Sequence, residues 1–228
     1  MTNEATKTKA LLTENELAVL KGRGIDIGCG TDPVTPDAYA FDLGQGDANE
    51  ITKYVNDQFD FVFSSHCLEH MVDPPKALAG WWEIVRRGGY LFLIVPDEDL
   101  YEQGVFPSRF NADHKWTFTI SKNRSWSDKS INVFSLVRSL PNSEIIKLEL
   151  QDNGYDRSIA FFGRIKSNVF IKRFLHLHKR LEKFGIKLKS LEEIKNMLMP
   201  VDQTCETGAL AQIMVIIKKV SSPSPEEQ

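Results

Sequence analysis

The feature that most constrains this chain is the run Gly24-Ile25-Asp26-Ile27-Gly28-Cys29-Gly30-Thr31-Asp32. It is a short, mostly apolar stretch carrying one acid and ending in two glycines at alternate positions. Such a run suits a parallel strand buried on both faces and followed by a tight turn. The glycines let the backbone turn sharply and let a ligand approach where a Cβ would collide. Three later stretches continue the pattern. Tyr39 to Leu43 is a second apolar run carrying Phe41-Asp42, and an acid at the end of a second strand can accept hydrogen bonds from ribose hydroxyls. Phe59-Asp60-Phe61-Val62-Phe63-Ser64-Ser65 is a third, with His66-Cys67-Leu68-Glu69-His70 directly after it. Arg86-Arg87-Gly88-Gly89-Tyr90 leads into a fourth, Leu91-Phe92-Leu93-Ile94-Val95-Pro96.

In this order, Asp26/Gly28/Gly30, Phe59-Asp60-Phe61-Val62, Leu68-Glu69-His70 and Gly88-Gly89 resemble the motifs of class I S-adenosylmethionine-dependent methyltransferases, in their small-molecule branch. The likeness covers residues 22–97 closely and the later chain loosely. It implies a doubly wound, Rossmann-like α/β fold in three αβα layers, mostly parallel with one antiparallel strand. It also implies an insertion after the family's fifth strand, here ending at Pro96. The implied cofactor is S-adenosyl-L-methionine, with S-adenosyl-L-homocysteine as product. On the same resemblance, Asp26, Gly28, Cys29 and Gly30 line the methionine side, and Asp42 and Leu43 meet the ribose. Asp47 and Ala48 then lie near adenine, and Ser64, Ser65 and His66 edge the cleft. The chain is short after Asp42, because family members place a helix and another strand before the adenine-contacting acid. Either that third strand is vestigial and Asp47 is the acid, or Asp47 belongs to a surface loop.

A length of 228 residues, with 42% hydrophobic and 26% charged residues, suits one sizeable domain over residues 1–220. Residues 221–228 read as a disordered tail by composition. No apolar run approaches the ~20 residues that span a bilayer. Met1 to Ala10 has no apolar signal core, which predicts a cytoplasmic protein. Cys29, Cys67 and Cys205 have neither metal-like nor disulfide-like spacing, as in a reducing compartment. A net charge of −3 argues against general nucleic-acid binding.

Residues 1–9 read as polar and loose. Thr13-Glu14-Asn15-Glu16 reads as a helix start. The resemblance lays this helix over the cofactor cleft, and a plain capping helix is the alternative. Asp73-Pro74-Pro75 opens another helix, with Asp as cap and proline in the first turn. Its Leu78, Trp81 and Trp82, with Val85, form an apolar face.

The segment of about 97–140 is too polar and aromatic for a plain connector, and it reads as the acceptor-binding insertion. Arg109 and Lys115 can hold a phosphate or carboxylate. Tyr101, Phe110 and Trp116 can stack on a ring. His114 is the first candidate general base, since a neutral imidazole of pKa near ~6.5 can take a hydroxyl's proton. A hydrogen-bonded loop anchor is its alternative role. Asp97 and His66 are the other catalytic candidates, with His66 at the carboxyl edge of the sheet, and His70 reads as structural. A divalent cation on Asp97, Asp99 and His114 is a lesser alternative, and no metal ligand is assigned. Trp126-Ser127-Asp128 reads as the cap of a helix running through Leu140, and Ile145 to Leu150 alternates as a strand. Lys166 to Phe184, within a helical segment of about 166–198, is amphipathic. Its basic face suits an anionic glycan, a nucleotide-sugar or RNA, or else a solvated cover or a homodimer seam. Gly208 to Lys219 reads as the closing strand.

The expected function is methyl transfer to a hydroxyl or amine of a small acceptor such as a sugar, nucleotide-sugar or surface glycan. Asp113-His114-Lys115-Trp116 is similar to a motif of glycan-cluster methyltransferases. Two other classes remain open. A nucleotide-binding oxidoreductase or epimerase wants a third glycine where Pro33 stands. A non-catalytic cofactor-binding module is possible because a fold alone does not confer activity.

Overall fold

The computed structural model describes residues 4–120, 122–158 and 201–221, with a few positions between 173 and 183. The strands are β1 Gly24–Ile27, β2 Tyr39–Phe41, β3 Phe59–Ser65, β4 Val85–Pro96, β5 Thr117–Thr119, β6 Ser130–Asn132, β7 Ser143–Gln151 and β8 Gln212–Lys219. Six of them form one sheet in the order β2-β1-β3-β4-β8-β7, and β5 pairs with β6 apart from it. β1 is parallel to β2 and β3, and β3 is parallel to β4. β8 is antiparallel to both of its neighbours, β4 and β7. The mixed, mostly parallel sheet with one reversed strand is the one the resemblance implied.

The third strand that family members carry is absent between β2 and β3, in line with the shortness of the chain after Asp42. β2 is the sheet edge, and the chain returns to β3 through a 3-10 segment, Ala48–Lys53, capped by Asp47. The closing strand is shorter than expected and begins at Gln212, although Ala211 O still accepts from Asp97 N–H at 3.0 Å.

Alternation along the central strands builds two cores. Val62, Leu91, Leu93, Val95, Ile213 and Val215 point to one face. There they meet Leu78, Trp81 and Trp82 of the helix Pro74–Glu83, and Leu136 and Val137 of the helix Val133–Arg138. Phe61, Phe63, Phe92, Ile94, Met214 and Ile216 point to the other face, toward Leu20, Val34 and Ala38. Asp73 caps the helix Pro74–Glu83 by accepting from Lys76 N–H at 3.1 Å.

Two expectations about helices change. Residues 4–9 form a helix, Glu4–Lys9, rather than a loose start. Trp126-Ser127-Asp128 caps nothing helical. Its neighbourhood leads into β6, and Asn132 caps the helix Val133–Arg138 instead. Thr13 and Glu16 do form the capping box of the helix Glu14–Ala18. The amphipathic stretch Lys166 to Phe184 and the tail from 222 fall outside the described residues, apart from the few helical positions above. Among the described residues no helix is long and apolar enough to cross a membrane.

Candidate active site

All four parallel strands end at the same edge of the sheet. β1 leads into Gly28, β2 into Asp42, β3 into His66 and β4 into Asp97, while the reversed β8 begins there with Gln212. The chain order reverses across β1, and open α/β sheets bind ligands at such a point. The glycine turn needs its glycines. Gly28 has φ +78°, and a Cβ on it would lie 2.6 Å from Cys67 Sγ. Gly28 N–H donates to Phe41 O at 2.8 Å, tying the turn to β2. Gly30 N–H donates to Asp42 Oδ2 at 2.7 Å, and Leu43 N–H donates to Asp42 Oδ1 at 2.7 Å. Asp26 is buried beneath the turn and accepts from Val34 N–H at 2.6 Å. Burial pushes its carboxyl up to about 7. The helix Glu4–Lys9 braces the turn from outside. Lys9 pairs with Asp32 and donates to Pro33 O at 3.1 Å, and Thr6 Oγ1 donates to Asp32 Oδ2 at 2.5 Å.

Two cavities open at this edge. The smaller, of about 320 Å³, is lined by Asp42, Leu43, Asp47, Ala48 and Lys115 among others. The larger, of about 510 Å³, includes Asp26, Cys29, Gly30, Ser65, Tyr101 and His114 in its lining. Gly28, His66 and His70 belong to both and mark where they meet. His66 itself has φ +53°.

A cluster of imidazoles and carboxylates surrounds this junction. Glu69 is fully buried, and neither of its carboxylate oxygens accepts a hydrogen bond. His66 Nδ1 faces its Oε1 at 3.5 Å, and His114 Nε2 faces the same oxygen at 3.9 Å. Burial alone would raise the Glu69 carboxyl, but the histidines, His66 foremost, outweigh that and hold it below the usual range. His114 Nδ1 is 2.7 Å from the buried Glu102 Oε1. His70 Nδ1 lies 3.0 Å from Asp113 Oδ2. The Tyr101 and His70 rings pack on the His114 ring at 5.2 and 5.1 Å between centroids. Three further contacts join the stretch Glu69 to Met71 to the stretch Asp113 to Trp116. Lys115 N–H donates to Glu69 O at 2.9 Å, the Lys115 ammonium donates to His70 O, and Trp116 Nε1 donates to Met71 O at 3.1 Å.

The remaining expected site residues lie elsewhere. Ser64 is buried and donates to Ile27 O at 2.9 Å, joining β3 to β1 rather than facing a cavity. Asp97 lines neither cavity, and its Oδ1 accepts from the N–H groups of Asp99 and Leu100. Burial raises its carboxyl to about 6. Asp99 pairs with Lys122, so Asp97, Asp99 and His114 do not converge as a cation site. Arg109 and Trp116 are outside both linings, and Trp116 serves as a packing and hydrogen-bonding anchor. Glu69, Glu102 and Gln212 were not among the sequence candidates. Gln212 Oε1 lies 3.0 Å from His66 Nε2.

Comparison with known proteins supplies the remaining evidence. Among curated proteins no sequence matches this one. Several solved structures are similar. A SAM-dependent methyltransferase from Archaeoglobus fulgidus aligns with a TM-score of 0.48 and 16% identity, over 95% of either chain. The YcgJ protein of a Bacillus aligns with a TM-score of 0.45 and 11% identity, over 91% of this chain and 97% of that one. The plantazolicin methyltransferase BamL aligns with a TM-score of 0.43 and 13% identity, over 96% of this chain and 86% of that one. The family model described as a methyltransferase domain matches residues 4–156, well over half of the chain. The chain belongs to this methyltransferase domain family, and it is an enzyme whose cofactor is S-adenosylmethionine.

Proposed function

We propose that this enzyme methylates a hydroxyl group of a small polar acceptor, of the sugar or nucleotide-sugar class, in the cytoplasm. The observation that supports it most is the junction at Gly28, His66 and His70. There a cavity of about 320 Å³ meets one of about 510 Å³ walled by the histidine–carboxylate cluster. Sites for small ligands are commonly of this size.

The residues present fit the cofactor. A Cβ at Gly30 would meet open space, so the turn leaves room beside it, and the acids Asp26, Asp42 and Asp47 suit a cationic, ribose-bearing ligand. In this reading Asp26, Gly28, Cys29 and Gly30 take the methionine end, Asp42 takes the ribose, and Asp47 and Ala48 take the adenine. When bound, S-adenosylmethionine supplies a methyl group on a sulfonium, which is already a good leaving group. The protein's own part is mostly alignment, which can contribute ~7–11 kcal/mol.

A hydroxyl must also lose its proton. His114 is the residue on which that activation depends, because Glu102 fixes its ring on the wall of the larger cavity. Tyr101 stacks beside it and offers a face to a sugar ring. Transfer of labelled methyl to a panel of sugars and nucleotide-sugars tests the reading. Activity on a hydroxylated member should fall ~10²–10⁴-fold in His114→Ala. An unchanged rate would remove His114 from the chemistry, and turnover confined to amines would overturn the choice of acceptor.

A further inference from the structure

We propose that Glu69, His70 and His114 form a divalent-metal centre on the acceptor side of the junction. The role given to the ion below rests on the methyl-transfer reading above and deepens it.

The donor geometry comes first. One ligand atom from each of the three residues lies within 4.8 Å of the other two. Ligands held ~2.0–2.2 Å from a common ion in a tetrahedral shell stand ~3.3–3.6 Å apart, so these atoms need to close by roughly 1–1.5 Å at most. His114 Nε2 and Glu69 Oε1, 3.9 Å apart, are within about half an ångström of that spacing.

The state of Glu69 is the second observation. A wholly buried carboxylate with no hydrogen bond to either oxygen is unfavourable unless a counter-charge completes it. A cation accounts for both the missing donors and the crowd of imidazoles.

The surroundings of the two histidines are the third. Each has its Nδ1 against a carboxylate, Glu102 Oε1 at 2.7 Å for His114 and Asp113 Oδ2 at 3.0 Å for His70. That contact fixes the proton on Nδ1 and leaves the lone pair on Nε2, as in carboxylate–histidine–metal arrangements. The ligands come from two segments that are clamped together by Lys115 N–H on Glu69 O and by Trp116 on Met71 O. The centre is therefore assembled without the ion. Two imidazoles and one carboxylate suit a first-row divalent ion such as zinc, cobalt, iron or manganese. All three residues line the larger cavity, so coordination positions remain for a ligand. An acceptor hydroxyl bound there loses its proton more readily. The O–H bond breaks with its electron pair staying on oxygen, the proton passes to solvent, and the charge of the ion is unchanged.

Cobalt(II) is the probe for the test. The full chain, stripped with a chelator and dialysed, is titrated with Co²⁺ by calorimetry and visible absorption, and S-adenosylhomocysteine is titrated into the same samples. The expected result is one equivalent of Co²⁺ with a visible band. Binding should be at least tenfold weaker in His70→Ala and His114→Ala, and ~10–100-fold weaker in Glu102→Gln, which removes only the outer partner. Should a variant fail to fold, the others still decide, because retained S-adenosylhomocysteine binding reports the fold. Wild-type protein that binds S-adenosylhomocysteine but takes up no Co²⁺ overturns the metal centre, as does Co²⁺ binding that all the variants share equally. Co²⁺ uptake without S-adenosylhomocysteine binding leaves the centre standing and removes the reading of what it does.

Discussion

Asp26 carries the clearest pH signature. Burial raises its carboxyl from near 3.8 to about 7. Between these values the unfolded chain has released a proton that the folded protein keeps. Its contribution to stability therefore declines as pH rises through that window and is constant above it. A cationic ligand over the glycine turn favours the ionised form, so below pH 7 binding has to expel the proton. Affinity for S-adenosylmethionine should fall about tenfold per pH unit below 7 and level off above it. Calorimetry at pH 6, 7 and 8 checks this, and Asp26→Asn should flatten the slope. Gly28 makes a second prediction. Alanine there meets Cys67 Sγ at 2.6 Å in a left-handed conformation. The backbone term alone costs roughly 1–2 kcal/mol, or about 2–8 °C in Tm for a chain of this size. Thermal unfolding of Gly28→Ala should show at least that loss, together with weakened cofactor binding. Both residues were legible in the sequence, because an acid and a glycine bend at the end of an apolar run have a local meaning. Glu69 was not. Its sequence neighbours suggest only a turn, and its importance comes from His114, which is 45 positions later and spatially adjacent.

At the scale of elements, the apolar runs of β1, β3 and β4 were readable because both faces of a central parallel strand are buried. So was the helix beginning at Pro74, whose Asp73 cap and two prolines are local signals. The helix Glu4–Lys9 was misread as loose because it is short and polar. It is ordered by partners far along the chain, Asp32 and Pro33 on the glycine turn, while the buried Thr8 faces Gln212 at 3.5 Å. The helix after β6 was misplaced for a related reason. Ser127, read as part of a cap, accepts from Lys129 N–H at 3.2 Å within a turn, and Ser125 beside it donates to buried Glu98, which also accepts from Ser130 and Lys122. That carboxylate, rather than a cap at Trp126, organises the stretch after Pro96. If the helix Glu4–Lys9 braces the cofactor turn, deleting residues 1–10 should weaken S-adenosylhomocysteine binding about tenfold. It should leave the melting temperature within a few degrees, since six residues of helix contribute little to the core. Equal binding by the deleted and full-length chains would show that the helix is only a cover.

At the scale of the molecule, topology turns separate motifs into one site. Parallel pairing brings Gly28, Asp42 and His66 to one edge, and the reversed β8 adds Gln212 from the far end of the chain. The part of the lining that the strand ends supply was readable in order along the first 70 residues. The part supplied by the long connection after Pro96 was readable only in part. Tyr101 and His114 face the cavity, whereas Arg109 and Trp116 do not, because in a long connection the hydrogen bonds to Glu69 and Met71 decide which side chains turn inward. The central claim is that the two joined cavities hold one molecule of S-adenosylmethionine with its ribose on Asp42. Titration calorimetry of wild type and Asp42→Ala with S-adenosylhomocysteine tests it most directly. The account predicts one site per chain and binding at least tenfold weaker in the variant. A folded wild-type protein giving no heat with this ligand or with S-adenosylmethionine, or an Asp42→Ala variant that binds as tightly as wild type, would contradict it.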